Sequence, residues 1–504
     1  MENFAILTYL IFIPLITSVV ISCYSFCIKN KELESSIMRI SYISLGVEMV
    51  LGVVLFFEFD PSIVDYQFQE KYIWFKSWNV YYSVGIDSFS IYFILLTVFL
   101  IPPCIFIGLR SIKKNKLFFV GLFLALQGLV VGVFCAKDMI LFYVFFEAFL
   151  IPMYLIIGIW GGNNRVYASI KFFIYTLFGS VLMLIAIAYI FVNEVSNDIS
   201  ELSRYLRYYP FNTQMLLWLA FFVAFAIKIP LWPFHTWLPD AHVQAPTSGS
   251  VILAGVLLKI GGYGLIRFNL PMFPEISIYF ADYVIYMGII AIIYTSIVAL
   301  MQTDMKKMIA YSSVAHMGYV VIGIFSFNKY GIEGAVFQMI SHGLISSALF
   351  LCIGVLYEQT TSKEISLYQG LATRMPNFSL LFTIFVMGSI ALPGTSGFIG
   401  EFFVLLGVFH ENYTFGILAS LGIILGAIYM LWLYIRIIFG DHSKTFMVLQ
   451  DICVLDKYVL GILGILVVLL GIYPSIITNS LSKSAAHLIS SMNFLNDNGL
   501  NKYY

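Results

Sequence analysis

Residues 221–264 read FFVAFAIKIPLWPFHTWLPDAHVQAPTSGSVILAGVLLKIGGYG. Two stretches as apolar as lipid each hold one lysine, Lys228 and Lys259, and a proline-rich segment joins them. A charge at the centre of a bilayer costs at least about 2.5–3.5 kcal/mol, so it is rare unless paired or hydrated, and it marks a pathway. Working outward, two acids are placed in the same way. Glu147 lies in FYVFFEAFLIPMYLIIG (142–158) and Glu401 in GSIALPGTSGFIGEFFVLLG (388–407). Two bases and two acids set so deep, some beside helix-breaking prolines, point to ion or proton transport. Structural pairing between helices accounts for any one of them more easily than for all four.

The rest of the chain fits that reading. Its 504 residues are 61% hydrophobic and 11% charged, with mean hydropathy +0.93, a balance found in polytopic membrane proteins. About fourteen runs reach the roughly 20 apolar residues a helix needs to cross the hydrocarbon. They begin near residues 4, 37, 88, 117, 138, 167, 213, 248, 278, 305, 331, 376, 414 and 457. The expected fold is all-α, with two inverted five-helix repeats (helices 4–8 and 9–13) and broken helices 7 and 12. The first run lacks a basic start and a cleavage site, so it reads as a retained helix. A net charge of zero argues against nucleic acid. The six cysteines form no C-x-x-C pair, so no metal or iron–sulfur site is expected.

Lysine and arginine concentrate in the odd-numbered loops, among them KNKELESS, RSIKKNK, DMKKM and the loop holding Arg436, Lys444 and Lys457. By the positive-inside rule these loops face cytoplasm or matrix, and both termini face the other side. The chain divides into scaffold helices 1–3 (1–112), a first half (113–270), a second half (271–440) and a last helix with its tail (441–504). The scaffold carries almost no buried polarity, and the interruptions near 60–86, 194–212 and 358–375 read as loops.

The two halves share a pattern. Helix 7 breaks at Pro230 and Pro233 next to Lys228; helix 12 breaks at Pro393-Gly394 ahead of Glu401. Paired interrupted helices mark transporter sites. Proline cannot donate a hydrogen bond, so Pro230 frees the carbonyl of Ala226 and Pro233 that of Ile229, and a polar pocket for Lys228 is expected. Glu147 lies nine residues after Asp138, about 14 Å deep in a core of roughly 30 Å. His316 in YSSVAHMGYVVIG and His342 in QMISHGLISSALFL suit a relay through their ordinary pKa near 6.5, though a lone histidine in an apolar helix is as often structural. His235 and His242 flank the proline-rich loop and read as structural or entry-gate residues.

The runs FAIKIPLWPFHTWLPDAHVQAPTSGSVILAGVLLKIGGYGLIRF, DMKKMIAYSSVAHMGY and LPGTSGFIGEF resemble the antiporter-like subunits of respiratory complex I and of multisubunit Na⁺/H⁺ antiporters. A glutamate in helix 12 and a short C-terminus resemble the subunit M branch. The resemblance implies a non-redox, proton-translocating subunit of NADH:ubiquinone oxidoreductase. NADH, FMN, iron–sulfur clusters and ubiquinone would belong to partner subunits, and this chain would bind no cofactor. Its neighbours would be other membrane-arm subunits, especially antiporter-like ones, and lipids. The resemblance also assigns roles: Glu147 and Lys228 as the input ion pair, Lys259 as connector, His316 and His342 along the axis, Glu401 as output. Gln127 stands where bacterial members have a glutamate. The motifs look closest to mitochondrial forms, which implies the inner mitochondrial membrane first and a bacterial plasma membrane second. An antiporter component without redox partners is the alternative.

Overall fold

The computed structural model describes residues 5–27, 31–440 and 449–493, so Lys444 lies outside the described residues. The apolar runs fold as helices: α1 (Ile6–Cys27), α2 (Lys31–Glu58), α3 (Ile91–Ser111), α4 (Lys116–Cys135), α5 (Met139–Trp160), α6 (Arg165–Asn193), α7 in two arms (Phe211–Lys228 and Trp237–Gln244), α8 (Thr247–Met272) and α9 (Ala281–Leu300). After them come α10 (Met305–Ile324), α11 (Lys329–Thr360), α12 in two arms (Pro376–Ser389 and Ser396–Glu411), α13 (Tyr413–Ile438), α14 (Val454–Ile472) and α15 (Ser475–Asn493). Among the described residues twelve helices are long and apolar enough to span a membrane. The 20-residue α10 and the two-armed α12 occupy the other two places where the sequence puts a span. In α8 and α11 the most apolar stretch is wholly buried, so these two helices form the centre of the bundle.

Three stretches differ from the sequence reading. Residues 67–75 and 80–86 are not plain loop but an antiparallel hairpin, β1 and β2, paired from Gln67↔Ile86 to Phe75↔Val80. Aromatic and β-branched residues (QFQEKYIWF, VYYSVGI) favour strands. Inside 194–212 a short helix, Ile199–Tyr205, starts at Asp198, whose carboxylate accepts from Ser200 N. Past α14 the supposed tail forms α15, which buries Ile477, Leu481, Ala485, Leu488 and Met492 at helical spacing. The scaffold is not free of buried polarity either: Glu48 in α2 is fully buried and neither carboxylate oxygen has a hydrogen-bond partner.

The two halves repeat local structure in opposite senses. Asp138 caps α5 by accepting from Ile140 N and Leu141 N, and its neighbour Met139 N donates to Asn197 O (2.9 Å). The same arrangement recurs 166 residues on (Asp138 to Asp304, Asp198 to Glu364): Asp304 accepts from Lys306 N and Lys307 N, and Met305 N donates to Lys363 O (3.0 Å). The first bridge lies beside β2, where Lys137 N donates to Ser83 O. The second shares an open cleft with Gly162, Asn163 and Gln244. Helix α6 runs from one end to the other over 29 residues, about 44 Å, so the bridges sit at opposite ends, a hairpin end and a cleft end.

Both helix breaks also close alike. Leu231 N reaches back to Ala226 O and Leu392 N to Met387 O, each a five-residue span in place of four. Phe234 N then donates to Leu231 O, and Thr395 N to Leu392 O. The carbonyl of Ala226 is therefore not free for an ammonium, as the proline alone suggests. The chain bends back and satisfies it.

Candidate functional site

The centre of the bundle holds a row of polar side chains in contact. Lys259 on α8 sits between two π-helical turns, Leu253–Leu257 and Leu265–Asn269, a distortion common at functional sites. Its Nζ donates to Ala254 O, five residues back, and lies 2.7 Å from His342 Nδ1 on α11. The His342 ring is 5.5 Å, centre to centre, from that of His316 on α10. His316 Nδ1 is 2.9 Å from Glu401 Oε1 on the second arm of α12. Gln338, one turn before His342, donates to the same oxygen (3.3 Å), and Ser389 Oγ lies 3.4 Å from His316 Nε2. Lys259, His342, His316 and Glu401 are all buried. Four elements thus bring four ionisable groups into one line across both halves.

Narrow cavities open on either side of the His316–Glu401 pair. One is lined by Ser312, Gln338, Ser341, Ser346 and Ser389, the other by Ser296, Tyr319, Gly422, Gly426 and Tyr429. The glycines and serines leave room and donors beside the pair, and water occupies such places when it finds two to four polar partners. Ser341 and Ser396 hydroxyls, 2.8 Å apart, tie α11 to the start of the second α12 arm.

The first half is arranged differently. Lys228 ends the first arm of α7, buried, with its Nζ 4.8 and 4.5 Å from the ring centres of Phe146 and Phe149. Those phenylalanines flank Glu147 on α5, and Glu147 is the charge that acts on Lys228. No ion pair within 4 Å joins the two, and neither Lys228 Nζ nor Glu147 Oε2 has a hydrogen-bond partner. The ammonium is met by aromatic faces instead, an interaction of about 0.5–2 kcal/mol. Gly261 brings α8 against the α7 break: a Cβ there would lie 2.7 Å from Ile229 N. Lys228 and Lys259 each sit within two residues of that approach, yet they do not touch.

His235 and His242 do not flank an exposed loop. The segment after the prolines is the second arm of α7, and both histidines are buried. His242 stacks on Phe350 at 4.6 Å with both ring nitrogens unpartnered, between the charges of Lys259 and Lys306. His235 packs edge-on against Tyr294 and Tyr311. The arm is held from outside by Lys171 Nζ, 2.6 Å from Asp240 Oδ2. Pro230 and Pro393 mark the two breaks.

Sequence reasoning missed Gln338, Lys306 and Glu48. Gln338 stands at i and His342 at i+4 on one helix, a visible signal. Lys306 looked like a loop-end charge, but it is buried and its Nζ donates to Ala245 O (2.6 Å). At the cleft, burial pulls the Lys363 ammonium below its ordinary range while Asp304 acts the other way.

Residues 136–426 match a profile described as "NADH:quinone oxidoreductase/Mrp antiporter, TM". The chain belongs to this family. It is 48% identical over 97% of its length to "NADH-quinone oxidoreductase subunit M" of Rickettsia bellii, covering 99% of that protein. To "NADH-ubiquinone oxidoreductase chain 4" of Chondrus crispus it is 47% identical over 87% of its length and 89% of the relative's. Among solved structures it superposes on a chain of respiratory complex I from Thermus thermophilus with TM-score 0.85, 28% identity, and coverage of 97% of this chain and 100% of that one. It shares its fold with a chain of the Mrp complex from Dietzia (TM-score 0.84, 19% identity, 98% of both chains). All the residues of the central row lie inside the matched family segment.

Proposed function

We propose that the chain is a proton-translocating membrane-arm subunit of an NADH:quinone oxidoreductase. It moves protons along Lys259, His342, His316 and Glu401, with Glu147 and Lys228 setting the charge at the input side. The observation that carries this reading is the buried row at the centre of a membrane bundle, in which Lys259 meets His342, His316 meets Glu401, and the two imidazole rings between them lie 5.5 Å apart, centre to centre. Imidazole passes a proton because one ring nitrogen accepts while the other donates. Coupling between neighbouring sites moves it, since opposite charges at about 7 Å and an effective dielectric near 20 interact by roughly 2.4 kcal/mol. Against about 200 mV one charge costs roughly 4.6 kcal/mol to move, so a row of sites serves where one pair does not.

In this role the chain binds no cofactor. NADH, FMN, iron–sulfur clusters and ubiquinone sit in partner subunits, and its neighbours are other membrane-arm subunits, antiporter-like ones first, with lipid on the outer faces. The basic odd loops support a reading in which the cleft end faces matrix or cytoplasm. An inner mitochondrial membrane fits the motifs, and a bacterial plasma membrane is the second placement. The test is Glu401→Gln in the purified, reconstituted complex: quinone reduction should persist while protons pumped per NADH fall. Unchanged pumping would overturn the reading. Purification without flavin or iron–sulfur partners would favour an antiporter component instead.

A further inference from the structure

The cleft beside the second bridge, about 510 Å³, leads into a pocket of about 100 Å³, and the two share Gly162, Gln244, Tyr357 and Lys363 as walls. One water needs only about 10–15 Å³ of such space, so the pocket has room for a polyatomic ion. Two ammoniums line it. Lys306, buried at the start of α10, donates from Nζ to Ala245 O (2.6 Å). Lys363, half-buried just past α11, donates from Nζ to Val243 O (2.7 Å). Both carbonyls lie at the end of the second α7 arm, so the plain reading is that the lysines cap that helix. A helix C-terminus offers only about half a negative charge against their two positive ones. Each ammonium has three protons, and one carbonyl apiece leaves two on each. Among the described residues, none that lines the pocket is acidic. Asp304 and Glu364 line the outer cleft, where Asp304 accepts from Lys306 N and Lys307 N and Glu364 from Ser366 Oγ. Asp304 acts on both lysines from there, but on Lys306 the repulsion from Lys363 is the larger effect.

We propose that this pocket binds a phosphate group, either free phosphate or the headgroup of an anionic phospholipid. Lys306 and Lys363 supply the charge, and the remaining walls supply further donors. Gln244 Oε1 accepts from Asn164 N (3.1 Å), which leaves the NH₂ of that side chain to donate. Thr247 opens α8 at the pocket wall. The first amides of a helix have no carbonyl behind them, and anions settle there. A tetrahedral oxyanion has acceptors on every side, which suits donors converging from α7, α8, α10 and the segment after α11. Trp160 and Tyr357 complete the wall, aromatic residues of the kind that mark headgroup level. The site stands whether or not protons follow the route proposed above. Lys306 is also one of the two lysines whose charge acts on His242, so a bound anion weakens the positive field at the edge of the central row.

The test is a lysine footprint of the purified complex in phosphatidylcholine nanodiscs. N-hydroxysuccinimidyl acetate labels lysines, and mass spectrometry reads the rate at Lys363, with the exposed Lys457 as control. Inorganic phosphate at about 10 mM should slow labelling of Lys363 about tenfold, the protection given by a site with Kd of roughly 1 mM. Lys457 should keep its rate, and sodium chloride at equal ionic strength should protect neither. If nanodiscs containing phosphatidylglycerol protect Lys363 with no phosphate added, the bound group is a lipid headgroup. Lys306→Met should abolish the protection. Gln244→Glu keeps an acceptor for Asn164 N but sets a carboxylate in the pocket wall. It should abolish the protection too, and it decides the matter if Lys306→Met does not assemble. Protection from neither source, protection matched by chloride, or protection that survives in an assembled variant overturns the site.

Discussion

His316 holds two neighbours at once, His342 by its ring and Glu401 by Nδ1, and that makes it the narrowest point of the row. His316→Gln keeps a hydrogen bond to Glu401 but cannot carry charge. It should lower protons pumped per NADH nearly as far as Glu401→Gln, measured in proteoliposomes with quinone reduction as the control. Lys259→Arg keeps a positive charge that is never released, so it should impair pumping about as badly as Lys259→Ala. Full pumping with arginine would make Lys259 a fixed charge. At the hairpin end Asp138 offers a pH test. Burial pushes its carboxyl up to about 6, against the pull of hydrogen bonds from Leu141, Tyr81 and Ile140. An acid whose folded pKa is raised favours the fold most below its unfolded value near 3.9, and that contribution is lost as pH rises through about 6. Asp138→Asn should therefore gain on the unmodified protein between about pH 4 and 7, by at most roughly 3 kcal/mol, in thermal unfolding followed across that range.

The helix breaks of α7 and α12 were legible in the sequence because proline and glycine act locally: Pro230, Pro233, Pro393 and Gly394 stand where each helix stops. How the ends close was not legible, since the bond from Leu231 N to Ala226 O depends on where the chain turns afterwards. The same limit hid the aromatic seat of Lys228: a lysine and a glutamate in facing helices suggest contact, and only packing shows phenylalanines taking the place. Close approach is what makes two glycines necessary. A Cβ on Gly397 would fall 2.0 Å from Gly388 O, across the α12 break. Gly397→Ala should force the arms apart, cost about 1–3 kcal/mol as overpacking does, and move Glu401 away from His316. The check is a lower thermal midpoint together with reduced pumping in whatever complex assembles.

At the scale of the molecule, composition fixed the all-helical membrane class and the buried charges picked out the centre, because both depend on transfer from water. The hairpin and α15 were less legible: they lie at the hairpin end, where alternation and amphipathic spacing are weak signals beside long apolar runs. Helix α15 straps that end. The Tyr92 hydroxyl of α3 lies 2.6 Å from Ser480 Oγ, and Arg207 Nη1 donates to Ser491 O (2.8 Å). Leu481, fully buried beneath the strap, should cost about 2–5 kcal/mol when cut to alanine, seen as a lower unfolding temperature of the purified complex. The central position of α10 bears on how the protein is made. Lys306, Ser312, Ser313 and His316 are buried by neighbours on several sides, and α10 is not among the spans that length and composition alone pick out. A nascent α10 has little to gain from lipid and finds shelter against other helices, α9, α11 and the second arms of α7 and α12 among them. It should therefore linger at the insertion machinery until α11 emerges and enter the bilayer as a hairpin with it, so that the residues proposed to carry charge through the finished protein also set the timing of its biosynthesis.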